Sequence, residues 1–479
     1  MKRSLVWILL LASCAVSVIA FWNRLSLVRL GSEGPPPEEP KTEIRVALYD
    51  WTQNLEVRNA VESYNETNTD QIEIVMMDIP SDAYNDTLNM LMTSGKAPDV
   101  FGVDPAWLPA YVNKNYLLNL TPSLDRSFLE RFPSWAVEMA KKPLFKGGIY
   151  FLTSGVETVR LIYNKNLFRQ AGLDPEKPPA TFEEMELAAR RIAAAGIGVK
   201  KYGFALPAGD SQHSFQIDLE ASSTFSGITL YNFRTGQYDL SGYKPWLNMV
   251  SRMKAEGSLY PGESLLNRDM ALRQFADGNI GMMYVTSGDY VKLQQYEPKE
   301  EWAAVMPPAA RKERGAGALM MLPQSQLVVN ASAQNAEKAV KVWKFLHSAA
   351  FQSVLFRQAL IFPVIDRTRE SSELAPGFSR FKEFYPTEAD AVYPLFPQIM
   401  DQYDPNTVAT GPRNSGDRPR MQLYLKIITG EKPPDQALQE ETDRLNELLA
   451  IATTGNSFKR EDYIIPGFDP LHPLSKLSQ

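Results

Sequence analysis

Ile44, Val46 and Leu48 alternate with Arg45 and Ala47, which predicts a strand running into Tyr49-Asp50-Trp51-Thr52. The period then changes: Val57, Ala60, Val61 and Tyr64 fall on one helical face. Ile72, Ile74 and Met76 predict a second strand, Tyr84, Leu88 and Leu91 a second helix closed by Gly95, and Pro98 to Val103 a short apolar strand opening onto Asp104-Pro105-Ala106-Trp107. This βαβαβ order predicts a mostly parallel sheet. In such sheets ligands bind beyond the carboxyl ends of the strands, which selects Trp51, Asp104 and Trp107. A tryptophan face suits stacking on the C–H face of a sugar ring, and a carboxylate accepts hydrogen bonds from hydroxyls. Core packing is the other common use of a tryptophan.

A second stretch repeats the strand-to-helix switch. Val159, Leu161 and Tyr163 alternate with Arg160, Ile162 and Asn164, predicting a half-buried strand, and Leu167, Phe168 and Ala171 then take helical spacing up to Gly172. Thr181 and Glu184 form a capping box ahead of Met185, Ala188, Ala189 and Ile192. Further on, Met270, Leu272, Phe275 and Ala276 end a helix at Gly278, and Ile280 to Val285 form a strand opening onto Thr286-Ser287-Gly288-Asp289-Tyr290. Ala336, Ala339, Val340, Trp343 and Leu346 make an amphipathic helix with Trp343 on its core side and Glu337 and Lys341 paired outside. Residues 366 to 450 read as helical and polar.

With 479 residues, 44% of them apolar, the chain can fill more than one core. A net charge of −6 argues against a nucleic-acid partner. The chain carries no GxSxG, HExxH, P-loop, CxxC or EF-hand spacing, and its three histidines, His213, His347 and His472, form no cluster in sequence. No metal, cofactor or catalytic group is therefore expected. Paired carboxylates would be enough for glycoside hydrolysis, so a secreted carbohydrate-active enzyme stays as the alternative.

Lys2 and Arg3 precede an apolar run from Leu5 to Trp22, the pattern of an export signal. Leu11-Ala12-Ser13-Cys14 looks like a bacterial lipobox, which implies lipid on the Cys14 thiol. Two other outcomes stay open: an uncleaved N-terminal anchor, and cleavage after Ala20. Each places the body outside the cytoplasm. Residues 31 to 40, rich in proline and glutamate, read as a stiff polar spacer.

The segments Val156-Glu157, Leu161-Ile162-Tyr163-Asn164-Lys165, Leu167-Phe168, Ala171-Gly172-Leu173 and Thr181-Phe182-Glu183-Glu184 together resemble the signature of the family 1 extracellular solute-binding proteins, the sugar-capturing components of ABC importers. The family usually has Trp where Phe182 stands and Asp where Asn166 and Glu183 stand. In the same order follow segments similar to its later helix-strand-loop unit at residues 270–290, its third crossover at Ile361 to Val364 and its closing helix pair near Ile428 to Leu438. The resemblance implies an α/β, two-lobed periplasmic-binding-protein-like fold with three hinge crossovers. The signal or anchor would be 1–22, the linker 23–43, the N-terminal lobe 44–155 plus 305–360, the C-terminal lobe 156–304 plus 361–450, and the C-terminal extension 451–479. The first crossover would precede Glu157 and the second would fall at Trp302 to Pro308. Glu157, at the hinge, and Ser287, Asp289 and Tyr290, in the later loop, join Trp51, Asp104 and Trp107 as expected ligand contacts. The family's aromatic after the glycine is replaced here by Asp289, with Tyr290 next. The implied partners are a carbohydrate ligand, ABC permease subunits and the membrane, with the protein as a monomer. A sensor subunit docking to a membrane receptor would share these features.

Overall fold

The computed structural model describes residues 40–80, 84–103, 107–142, 145–209, 215–310, 315–324, 326–397, 417–454 and 459–474. Residues 1–39, in which the sequence leads one to expect an export signal with Cys14, and Asp104 lie outside them. Fourteen strands follow in chain order among the described residues: β1 (Thr42–Ala47), β2 (Ile72–Met76), β3 (Val100–Gly102), β4 (Gly155–Glu157), β5 (Val159–Asn164), β6 (Tyr202–Phe204), β7 (Tyr231–Asn232), β8 (Gln237–Tyr238), β9 (Ile280–Thr286), β10 (Trp302–Val305), β11 (Leu319–Gln324), β12 (Leu327–Val329), β13 (Phe362–Pro363) and β14 (Asp390–Val392).

Three four-stranded sheets organise the fold. The first has the order β12-β3-β1-β2, the second β10-β5-β9-β6, and the third β13-β4-β11-β14. In the first sheet β1, β2 and β3 run the same way and β12 opposes them, pairing Leu327 with Gly102. In the second, β6, β9 and β10 run the same way and β5 opposes them, pairing Val159 with Thr286. The odd strand has the same origin in both. β5 continues from β4 after one residue and β12 continues from β11 after two, so each enters its sheet straight from the third sheet rather than through a helix. The mostly parallel expectation therefore holds for strand direction, while the pairing is mixed. Trp302–Val305 sits inside the second sheet, so the chain leaves that sheet through β11, later than the Trp302 to Pro308 crossover expected from sequence.

This topology fixes which edge of each sheet faces the third. Because β12 follows β11 after two residues and starts its pairing at once with Gly102, the carboxyl ends of β1 and β3 lie at the third sheet. By the same reasoning the carboxyl end of β9, at Thr286, lies beside Glu157. Loops from two separate sheets thus converge on one set of crossover strands, the arrangement that lets two lobes rotate about a common hinge.

Local chemistry follows the sequence closely. Helix Phe182–Ala195 starts with the complete Thr181–Glu184 capping box, and Gly172 takes φ +70°. Trp343 is fully buried and its indole N–H donates to Leu327 O at 2.7 Å, tying helix Ala336–Leu346 to β12. The half-buried expectation for β5 is corrected: all six of its residues are buried, including Arg160. The second sheet is covered on both faces, so alternation along β5 separates two interiors rather than core from water. Arg160 is accommodated by a bidentate ion pair with Asp390, at 2.8 and 2.9 Å, which joins the second sheet to β14. From residue 459 the C-terminal extension packs on the second lobe, where Phe468 meets Phe233 and Arg234 donates to Phe468 O.

Candidate functional site

The convergence of loops brings together a group of charged and polar side chains around Glu157. This residue ends β4 and is half-buried, and its carboxylate rests on the backbone of Gly288, where an added Cβ would come within 2.8 Å of it. The close approach explains why the turn after β9 has glycine there. Burial pushes the Glu157 carboxyl up to about 7. The Thr286 hydroxyl and the Gly288 N–H oppose this by hydrogen bonding, Asp289 adds repulsion, and Arg268 adds attraction.

Asp289 turns back to accept the Thr286 N–H at 2.8 Å and lies 3.5 Å from Arg268. Arg268 also donates to Tyr284 O at 2.8 Å and to Asp218 at 3.2 Å. Asp218 is fully buried, its second carboxylate oxygen has no hydrogen-bond partner, and burial raises its carboxyl to about 6 despite the neighbouring guanidinium. Ser287 is buried and stitches the start of β5 to the end of β9: its N–H donates to Thr158 O at 2.9 Å and its hydroxyl accepts the Thr158 N–H at 3.2 Å.

On the first-lobe side, Trp51 lies in the 3-10 turn Tyr49–Gln53 at the carboxyl end of β1 and is half-buried, packed against the core. Neighbouring Tyr49 stacks on Tyr84 with centroids 4.0 Å apart and covers Gly102 at the end of β3. Trp107 is 7% exposed and meets Tyr111 edge-on, which gives most of its surface to the core.

The structure therefore groups Glu157, Ser287 and Asp289, and places Trp51 at the matching edge of the first sheet. Tyr290 belongs elsewhere. It is fully buried against Phe378, Phe381 and Phe384, so its ring is enclosed in the core. Sequence reasoning missed Asp218 and Arg268, although the signal was present. Arg268 shares a helical face with Ala271, Leu272 and Phe275, and Asp218 with Ala221 and Phe225, so each is a charge on an apolar stripe. A groove of about 380 Å³ along β10, lined by Pro178, Pro179, Val305, Met306, Glu383 and Arg160, shares no residue with this group. Among the described residues no cluster of His, Cys, Asp and Glu suits a metal ion, and no helix is long and apolar enough to cross a membrane.

The family model described as bacterial extracellular solute-binding protein matches residues 51–353. The chain belongs to the bacterial extracellular solute-binding protein family. Among curated members, the sn-glycerol-3-phosphate-binding periplasmic protein UgpB of Salmonella typhimurium is 26% identical over 308 residues, covering 60% of this chain. The chain spans 64% of that relative's length. Among solved structures of such solute-binding proteins, the ABC substrate-binding protein Lmo0181 of Listeria monocytogenes, in complex with cycloalternan, superimposes with a TM-score of 0.68 at 17% identity over 86% of this chain and 99% of that one. A solute-binding protein of Thermotoga lettingae bound with α-D-tagatose gives the same TM-score and identity over 86% and 100%. These likenesses establish the two-lobed fold of this solute-binding protein.

Proposed function

We propose that this protein captures a saccharide outside the cytoplasm by closing its two lobes and hands it to the permease of an ABC importer. The observation that carries the reading is the convergence of the β1, β3 and β9 carboxyl ends on one crossover sheet, with Glu157 at the pivot. Trp51 supplies an apolar ring face from one lobe and Glu157 and Asp289 supply acceptors from the other, and Asp104 and Trp107 belong to this reading as further ligand contacts expected from the sequence. Ser287 acts as a fastener of the Asp289 loop. Discrimination comes from hydroxyl pairing, since a buried polar group left unpaired costs about 1–3 kcal/mol. Binding without bond cleavage, a monomeric state, the lobe boundaries at 155/156 and 360/361 and membrane attachment through Cys14 or an N-terminal anchor belong to the same reading.

A thermal-shift panel of mono- and oligosaccharides tests it, with sn-glycerol 3-phosphate included because the curated relatives carry that solute in their names. A solute at a hundred times its Kd stabilises by about 2.7 kcal/mol. With an unfolding entropy near 1 kcal/mol/K for a chain of this size, the midpoint rises by roughly 3 °C. Stabilisation by an intact saccharide supports the reading. Stabilisation by glycerol 3-phosphate alone replaces the solute class, and shortened sugar in the mixture replaces binding by hydrolysis.

A further inference from the structure

The turn that carries Trp51 runs against a backbone preference. Tyr49 opens it at φ +50°, a left-handed conformation that bulky side chains rarely adopt. Strain of this kind persists only where the surroundings over-determine it, and it gathers at active sites and ligand clamps. Three supports surround it here. The Tyr49 ring stacks on Tyr84, whose hydroxyl shares its proton between Ala47 O at 3.2 Å and Gly102 O at 3.1 Å, so the platform under Tyr49 is fixed to the ends of β1 and β3. Arg58 donates from Nε to Thr52 O at 2.6 Å and ties the turn to helix Leu55–Thr67. Asp78, which follows the end of β2 at the same edge of the sheet, grips the residues after Trp51: the buried Thr52 hydroxyl donates to one carboxylate oxygen at 2.9 Å and the Gln53 amide donates to the other.

We propose that Asp78 is a positioning residue for solute capture, one that holds the Trp51 turn in its stacking pose before the solute arrives. Both of its carboxylate oxygens are engaged by the turn, so it acts on the solute through Trp51. A ring already fixed in place spares the cost of ordering it during binding, which is how a fastening outside the contact surface strengthens affinity. The effect on capture rests on the saccharide reading above; the fastening of the turn rests on geometry alone.

The test combines a double-mutant cycle with NMR, on the full-length protein in a detergent without a sugar headgroup. In ligand-free protein labelled with 5-fluorotryptophan, the Trp51 19F signal is identified by its loss in Trp51→Phe. Asp78→Ala should shift or broaden that signal while those of the other tryptophans stay in place, and Asp78→Asn, which keeps one acceptor oxygen, should do so less. Calorimetry with the saccharide found in the thermal-shift panel should show Asp78→Ala weakening binding about fivefold, the cost of ordering one side chain. In a Trp51→Ala background the same change should alter Kd by less than about twofold, because the residue through which it acts is gone. An unmoved Trp51 signal in Asp78→Ala overturns the fastening whether or not a sugar binds. Equal losses of affinity in both backgrounds overturn the positioning role, since Asp78 would then act on the solute independently of Trp51. A panel without any binding saccharide overturns the reading of the site and leaves the 19F result to judge the fastening.

Discussion

Asp390→Asn removes the partner of a guanidinium that is 2% exposed. In the wild type Asp390 accepts four hydrogen bonds, two from Arg160 at 2.8 and 2.9 Å and two from Thr387 at 2.8 Å. The asparagine keeps one acceptor oxygen and turns an N–H₂ toward donors, leaving the Arg160 charge uncompensated. Removing one member of a buried pair costs about 3–5 kcal/mol. The pair fastens β5, the strand that enters the second lobe, to β14 of the crossover sheet, so the loss falls where the lobe meets its hinge. Urea unfolding followed by tryptophan fluorescence and far-UV circular dichroism should show a lower midpoint and an unfolding free energy lower by that amount. Arg160→Met with Asp390→Leu should recover to within about 2 kcal/mol of wild type, because an apolar pair of similar volume avoids the desolvation of two charges. A loss below about 1 kcal/mol in D390N, or a double variant no better than the single, would refute the argument that this ion pair is held by mutual compensation.

Other outcomes follow from the same structure. Glu157 titrates higher folded than unfolded, so the stability it contributes is complete below its ordinary value and is lost as pH rises through about 7. Glu157→Gln should thus match wild type near pH 4.5 and exceed it by roughly 2–3 kcal/mol at pH 8, read from urea midpoints at both pH values; equal differences at the two would contradict this. Truncation after residue 454 strips Tyr463 and Phe468 from the second lobe and should destabilise it by about 3 kcal/mol or more, seen as faster amide exchange in the β7–β8 hairpin. Trp51→Ala, at a half-buried position, should leave the unfolding midpoint within about 1 kcal/mol while weakening saccharide binding at least tenfold by calorimetry.

The elements of the first lobe were legible because each alternation or helical stripe there faces a single core. β5 was read as half-buried because alternation looks the same whether the second face meets water or another packed layer. Its buried charge, Arg160, is matched by Asp390 far away in sequence, and nothing local signals a contact over that distance. That Glu157, Ser287 and Asp289 lie close together was legible because the first ends β4 and the others stand in the turn after β9. Tyr290 shows the limit of that reasoning: one residue beyond Asp289, the chain has already started helix Asp289–Gln295, and its ring rotates into the Phe378, Phe381 and Phe384 cluster. Arg268 and Asp218 were available as charges on apolar helical faces, but their pairing depends on how two helices meet β9.

Small-angle scattering on the body from residue 43 onward, with and without the saccharide selected by the thermal-shift panel, tests the central claim most directly. A two-lobed binder predicts a smaller radius of gyration in the presence of solute, a solute recovered intact, and loss of the compaction in Glu157→Gln. An unchanged radius with every saccharide at saturating concentration, or compaction accompanied by cleavage products, would contradict it.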